Sequence, residues 1–234
     1  MTRARDISNV ITDADLAGNL DVDGTTNLDA VDIDGAVDIA GNLSVDGGTI
    51  KLDGNYPTGT SNVALGDTAL DSLTSGGYSV AIGNAALTAM TSGNDNVAVG
   101  QIAMTATTTG SANVAIGQNC MQVNTSGGSN TAVGALALDA NTTASNNTAI
   151  GYSSLGSNTE GTANVAVGKS ALTANTTASH NTAIGFESME ATTTGTQNTA
   201  VGRKSLEANT TGNDNTAVGF NCLMSTQTTL NNTA

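Results

Sequence analysis

A short motif recurs along most of this chain at a fixed interval of 17 residues, and this period constrains the fold more than any other feature. The motif is Ala, an aliphatic residue and Gly, usually preceded by Asn and then by Thr or Val. Its glycine falls at Gly66 and at every seventeenth residue thereafter to Gly219, so ten copies align without a gap. An eleventh copy starts at Asn232. Short ungapped repeats predict units stacked one on another rather than a core around one centre.

Each column of the aligned repeats holds a narrow range of residue types. The Ala of the motif is invariant, the third residue after the Gly is only Ala, Ser or Cys, and the fourth is only Leu or Met. We expect these columns to form buried layers. The residues before and after the Ala share one face, as in a strand, whereas polar stretches such as residues 174–178 form corners.

The predicted fold of residues 62–234 is an all-β, elongated parallel β-solenoid or β-roll of ten 17-residue coils, cut in an eleventh repeat. Parallel strands lie about 4.8 Å apart, so ten coils extend roughly 48 Å. Equivalent side chains then lie over one another, and we expect the Asn column to form a ladder of amide hydrogen bonds. That column contains Asn96, Asn113, Asn130, Asn147, Asn164, Asn181, Asn198 and Asn215.

The amino-terminal part of the chain follows a shorter rhythm. Residues 1–13 are predicted to be an attachment segment, residues 14–54 a Gly/Asp-rich stem, and residues 55–61, which contain the only Pro, a joint. In the stem, sequences such as GNLDVDG and AVDIDG place Gly near multiples of six apart. This spacing predicts short strands in a β-prism or β-helix.

Composition argues against several classes of function. The 234 residues include 20 Asp and Glu against 6 Lys and Arg, a formal net charge of -14, which argues against nucleic-acid binding. No segment approaches the roughly 20 apolar residues of a membrane span, and residues 1–10 lack the apolar run of a secretory signal peptide. Aromatic residues are 2% of the chain, which fits an ordinary globular enzyme poorly.

We predict no catalytic, cofactor-binding or metal-binding residues. The Asp-rich stem is the strongest metal candidate, but Asp21-Val22-Asp23-Gly24 places its Gly fourth, whereas an EF-hand calcium loop needs Gly sixth. An outward acidic strand face is the favoured interpretation. His180 is the only histidine, lies in a variable column and is expected to be exposed. The stem Asp residues are Asp21, Asp23, Asp29, Asp32, Asp34 and Asp38.

Cys120 and Cys222 occupy the same column, six coils apart. Six coils span roughly 29 Å, whereas a disulfide needs Cα atoms within about 7 Å. The two residues therefore cannot bridge within one chain, and we expect each to fill an Ala or Ser position as a small buried side chain. Contact between copies of one Cys around a trimer axis is the alternative.

A column of Thr runs from Thr74 to Thr210 at the same 17-residue interval. We expect its hydroxyls to bond to the backbone at a corner, and favour this over an array that orders water or ice. Glycosylation sequons occur at Asn141 and Asn175, but a chain this rich in Asn and Thr produces them by composition alone.

A single rod of this thickness has a small interior. Each coil buries only about three sizeable apolar side chains, and the loss of conformational entropy on ordering its 17 residues exceeds the stabilisation from that burial. Hydrogen bonds between coils narrow this difference. Our hypothesis is a parallel homotrimer in which the Ala column packs against the neighbouring chains.

The repeat unit resembles known fibrous proteins. Residues 198–214, NTAVGRKSLEANTTGND, are similar to repeats of bacteriophage tail fibre proteins. NVAVG and NTAIG resemble the NSVAIG core of trimeric autotransporter adhesin heads, which are trimeric left-handed β-rolls with shorter coils. GNLDVDG and the opening ARDISNVITD resemble the fibre stems of tailed phages.

The resemblance implies a structural subunit of a virion, located in the tail fibre. It implies a rod joined to tail or baseplate proteins through its amino-terminal end, with a host receptor bound at a distal region outside this chain. We expect self-association as a homotrimer, and no enzymatic activity, cofactor, nucleic-acid partner or membrane partner. The alternatives are an adhesin or extracellular filament on a bacterial surface and, third, an ice-binding solenoid.

Overall fold

The computed structural model describes residues 61–225 and 227–234. The predicted attachment segment, the stem with its Asp residues, and all of the joint except Ser61 lie outside the described residues. The described part is all-β, with ten strands of three residues each. They are β1 Val63–Leu65, β2 Val80–Ile82, β3 Val97–Val99, β4 Val114–Ile116, β5 Thr131–Val133, β6 Thr148–Ile150, β7 Val165–Val167, β8 Thr182–Ile184, β9 Thr199–Val201 and β10 Thr216–Val218.

The ten strands form one parallel sheet in sequence order, β1 to β10. Each strand pairs with the next in a register of 17 residues, as in Ala115 opposite Ala132 and Ala132 opposite Ala149. A single bridge between Thr216 and Thr233 continues the same register into the eleventh repeat. The predicted parallel solenoid with 17-residue spacing is therefore confirmed.

Hydrogen bonds between coils continue beyond the strands. The N–H of Met121 donates to Ala137 O at 3.0 Å, and the N–H of Thr125 donates to Thr142 O at 2.8 Å. Bonds also run in the opposite direction, since the N–H of Gly134 donates to Ile116 O at 2.7 Å. Corners and strands therefore share one register, and consecutive coils stack residue upon residue.

The glycine after each strand has a backbone conformation that other residues avoid. Gly134 has a φ of +136°, and a Cβ atom there would lie 2.6 Å from the carbonyl oxygen of Gly151 in the next coil. Only glycine combines this positive φ with so close an approach of two backbones. Each coil needs a glycine at this position, and this is why the Gly of the motif recurs once per coil.

Left-handed backbone also occurs at residues other than glycine, three times in a typical coil. One position is the buried Leu or Met, such as Leu155 with a φ of 50°. A non-glycine residue in this region costs of order 1–2 kcal/mol. The bonds between coils hold it there, since the N–H of Leu155 donates to Ala171 O at 3.0 Å.

The interior contains the columns that the sequence analysis assigned to buried layers. The Ala, Ser or Cys column is buried from Ala69 to Ser205, and the Leu or Met column from Leu70 to Leu206. The Ser side chains of the Ala, Ser or Cys column have hydrogen-bond partners. The Ser154 hydroxyl, for example, donates to Ala166 O at 2.9 Å. The two predicted layers are confirmed.

The Ala at the centre of each strand also points inward. It is fully buried within the single chain from Ala81 to Ala217. The expectation that this column packs against neighbouring chains is therefore wrong, because its own coil already encloses it. The residues on either side of the Ala point outward together, as two-residue alternation predicts.

Within residues 61–225 and 227–234, no helix is long and apolar enough to cross a membrane.

Candidate functional site

The predicted Asn ladder is present and is fully buried over most of its length. At a typical step, the backbone N–H of Asn130 donates to Asn113 Oδ1 at 3.0 Å, and Asn130 Nδ2 donates to the same oxygen at 3.2 Å. The amide also donates across the interior to Ala144 O at 2.9 Å. Each Asn therefore ties its strand to the coil before it and to the corner of the coil after it.

A second Asn ladder lies at the corner and was missed by the sequence analysis, which treated its members as corner residues. Asn141 Nδ2 donates to Asn124 Oδ1 at 2.9 Å, and Asn175 Nδ2 donates to Asn158 Oδ1 at 2.7 Å. The signal was available, because an Asn precedes the Thr column at the same interval in most later coils. The sequons at Asn141 and Asn175 have their amides inside this ladder, where a folded chain cannot present them for glycosylation.

Thr192 interrupts the second ladder. Its hydroxyl donates to Asn209 O at 2.9 Å, so no amide donor faces the previous coil. Asn175 Oδ1 is consequently buried without a hydrogen-bond partner. This is a local weakness in an otherwise bonded column.

The Thr column has its hydroxyls directed along the stack. Thr108 Oγ1 donates to Thr125 O at 3.2 Å, and Thr125 Oγ1 donates to Thr142 O at 3.0 Å. The same contact between consecutive coils recurs from Thr74 to Thr210. The expectation that these hydroxyls bond to the backbone is confirmed.

The outward side of the sheet presents two columns of aliphatic and Thr side chains. The second of these columns alternates Ile and Val from β2 to β9, and its Ile members are the more exposed, at 39% for Ile150 and Ile184. Only aliphatic residues occur in that column. We call the two columns the outer face. They are Val63, Val80, Val97, Val114, Thr131, Thr148, Val165, Thr182, Thr199 and Thr216, and Leu65, Ile82, Val99, Ile116, Val133, Ile150, Val167, Ile184, Val201 and Val218.

A group of carboxylates lies beside the last complete coils. Glu187, Glu190 and Glu207 have carboxylate oxygens within 4.8 Å of one another. Lys204 lies among them, with its Nζ 3.1 Å from Glu187 and also paired with Glu207. Desolvation and the two neighbouring carboxylates raise the pKa of Glu190, while the hydrogen bonds to Glu207 and Glu187 raise the pKa of Lys204. The ammonium group already compensates part of the charge that a divalent cation would neutralise.

The column directly after the glycine alternates aromatic and cationic residues over its last five coils. We call Tyr152, Lys169, Phe186, Arg203 and Phe220 the cation–aromatic column. Lys169 Nζ and the Arg203 guanidinium lie 5.6 and 5.7 Å from the centroid of Phe186, and Arg203 lies 5.4 Å from that of Phe220. The sequence analysis did not identify this column, although the alternation is readable once the repeats are aligned.

Cys120 and His180 match the expectations from the sequence, whereas Cys222 does not, because it is not fully buried. Cys120 is buried, its thiol donates to Ala132 O at 3.3 Å, and burial raises the pKa of this thiol to about 12. Cys222 is half-buried, and both thiols are free. His180 is exposed, with a φ of 61°. The structure gives these three residues no common site.

Comparison with protein-family models, curated proteins and solved structures finds no match to this chain.

Proposed function

We propose that this chain is a structural subunit of a phage tail fibre, in which the solenoid is a rigid rod that holds a distal host-binding region away from the virion. The observation that carries the proposal is the in-register pairing of all ten strands. Each added coil extends the molecule along one line by about 4.8 Å. The resemblance of the repeat to tail fibre repeats supports the same role.

The buried ladders suit a mechanical part. Amide and hydroxyl groups bond each coil to the next at the strand and at the corner. Bending the rod would stretch several of these bonds at once, and buried polar groups are costly to leave unpaired. The role we propose is stiffness and spacing, not catalysis, and multiple fibres would add weak distal contacts through avidity.

We propose that the chain associates as a parallel homotrimer, but through a surface other than the Ala column. The Ala column is enclosed, but the second column of the outer face is a continuous aliphatic strip that runs from Leu65 to Val218. Exposed apolar surface of this kind marks an interaction site. We propose that the outer faces of three chains meet, and that residues 1–13 attach the fibre to other tail or baseplate proteins.

Immunogold electron microscopy with antibodies against the repeat region, and separately with antibodies against residues 1–13, tests the function. We expect label on fibres that project from purified virions, with the epitopes of residues 1–13 at the virion end. Label on the surface of bacteria that carry no phage would overturn the proposal. That result would favour an adhesin or surface filament, for which the same rod would be suitable.

A further inference from the structure

The guanidinium of Arg203 is held between two aromatic rings but has no anionic partner. It lies 5.7 Å from the centroid of Phe186 in the coil before and 5.4 Å from that of Phe220 in the coil after. The rings occupy the directions along the stack, so the N–H donors of the group are available only toward the side of the rod. Within residues 61–225 and 227–234, no hydrogen bond or ion pair satisfies these donors. A carboxylate is the partner that best matches such a planar set of donors.

The cation–aromatic column runs along one side of the outer face, and a second, largely exposed column runs along the other side. Each residue of this second column lies two residues before a strand, and we call the column the opposite border. Asp214 is one of its two acidic residues, and its exposed carboxylate forms no ion pair with another described residue. The opposite border consists of Ser61, Tyr78, Asp95, Ala112, Ser129, Asn146, Ala163, His180, Gln197 and Asp214.

We propose that Arg203 forms an ion pair with Asp214 of the neighbouring chain, so that the cation–aromatic column of each chain packs against the opposite border of the next. This inference rests on the proposed homotrimer. When three chains surround an axis with their outer faces inward, each chain touches its two neighbours through two different sides. The cation–aromatic column of one chain is then brought to the opposite border of the next.

The positions of the two residues along the stack suit parallel chains at equal height. Arg203 follows β9 and Asp214 precedes β10, so the two residues are one coil apart, or about 4.8 Å. The Arg and Asp side chains together are long enough to span this step. Lys169 follows β7 and has no such partner, because the opposite border holds no acidic residue within one coil of that strand.

A second copy of this chain suits Arg203 better than a separate anionic polymer does. The last coils also carry Glu160, Glu187 and Glu190, which would repel a polyanion. A single ion pair between two chains needs opposite charges only where the two groups touch, and salt screens the more distant charges. The aliphatic columns beside the pair are buried in the trimer, which partly excludes water from the pair and strengthens the attraction.

Oxidation of the variant R203C/D214C tests the contact, in the full chain with Cys120 and Cys222 replaced by Ala, which their column already holds. Within one chain the two new cysteines lie on opposite sides of the outer face, beyond the limit of about 7 Å between Cα atoms for a disulfide. We therefore expect covalently linked dimers and trimers on a non-reducing gel. The matched control K169C/D214C places its cysteines three coils apart, about 14 Å along the stack, and should stay unlinked.

The outcomes separate this contact from the homotrimer. Linked chains from R203C/D214C and none from K169C/D214C support both. A trimer by light scattering in which R203C/D214C forms no links overturns the contact and leaves the homotrimer standing. A monomer by light scattering overturns the homotrimer and the contact together.

Exchange of the two charges tests the pair without a covalent link. R203E and D214R each bring like charges together, whereas R203E/D214R restores opposite charges. We expect each single variant to raise the concentration at which half of the chains are trimeric by about threefold or more, and the double variant to return it to within about twofold. The matched control K169E should change it less than about twofold. Additive losses in R203E/D214R, or an equal loss in K169E, would refute the pair.

Discussion

At the scale of single residues, the fold depends on buried amides that have partners in two directions. Asn130 donates three hydrogen bonds, two of them to Asn113 Oδ1, and its own Oδ1 accepts one from the N–H of Asn147. A buried polar group is stable only when it is bonded, so each column position allows few residue types. The interrupted position at Thr192 is therefore the most informative place to alter the ladder.

Thr192→Asn should stabilise the rod. An Asn at this position would place an amide donor against Asn175 Oδ1, which has no partner, and an acceptor within reach of Asn209. The new bonds outnumber the lost bond of the Thr192 hydroxyl, so we expect a gain of about 1 kcal/mol. The midpoint of urea unfolding measures the change.

The reciprocal variant Asn158→Thr is the matched control for this prediction. It introduces the same interruption in a complete part of the ladder, where Asn158 bonds to Asn141 and to Gly161. We expect a loss of about 1–3 kcal/mol because amides on both sides lose a partner. Equal midpoints for both variants and the unaltered chain would show that the corner ladder does not contribute to stability.

The buried thiol of Cys120 should make stability depend on alkaline pH. Its pKa is about 12 in the fold, against an ordinary value of 9.0, chiefly because of burial. The unfolded chain therefore loses this proton first, and stability falls as pH rises above 9.0 and on through about 12. The comparison is with Cys120→Ala, since Ala fills this column at Ala103 and Ala137. Urea midpoints of the two chains should diverge above pH 9.0, and a constant difference across that range would contradict the assignment.

At the scale of the coil, the glycine after each strand is the least replaceable residue. Gly134→Ala would force a Cβ atom to within 2.6 Å of Gly151 O in a backbone region that alanine avoids. We expect a loss of roughly 1–3 kcal/mol or more, measured by urea unfolding. Gly156→Thr is the matched control, because the same column holds Asp139 and Thr173 in the adjacent coils. If both substitutions had the same effect, the backbone requirement at Gly134 would be refuted.

The sequence predicted strand register and the buried Leu or Met column, but not which contacts the coil makes with other chains. A strict 17-residue period fixes strand register, because equivalent residues such as Ala115 and Ala132 must pair when coils stack. It also revealed the buried Leu or Met column. It did not reveal which face of the strand is inside, since an invariant Ala fits a tight contact with its own coil or with another chain equally well.

The candidate site was harder to predict for a physical reason. In a buried column, packing allows only a few residue types, so the aligned repeats show a clear pattern. An exposed column tolerates many residue types and shows no such pattern. The cation–aromatic column begins only at Tyr152, after Asp67, Asn84, Gln101, Gln118 and Ala135 in the same position. Its meaning depends on ring and cation contacts between coils, which the structure provides.

At the scale of the whole molecule, the proposed trimer predicts a defined response to charge on the outer face. Ile150→Glu combined with Ile184→Glu would bury carboxylates between chains, which is unfavourable. We expect light scattering to give a trimer for the unaltered chain and a monomer for this variant, with an unchanged circular dichroism spectrum. Thr143→Glu, in an exposed column that contains Glu160, should remain trimeric. A folded monomer of the unaltered chain would overturn the trimer.

A solenoid should also tolerate the loss of whole coils but not of partial ones. Deletion of residues 135–185 removes three complete repeats and joins Gly134 to Phe186, so that Gly134 takes the place of the deleted Gly185. Register is preserved, so we expect a folded chain about 14 Å shorter, with reduced stability because fewer interfaces between coils remain.

Deletion of residues 135–180 removes less sequence but places every later strand out of register. Small-angle scattering should show an ordered shorter rod for the first deletion and an unfolded or aggregated chain for the second. If the second deletion folded as well as the first, the stacking of equivalent residues would not be what determines this structure.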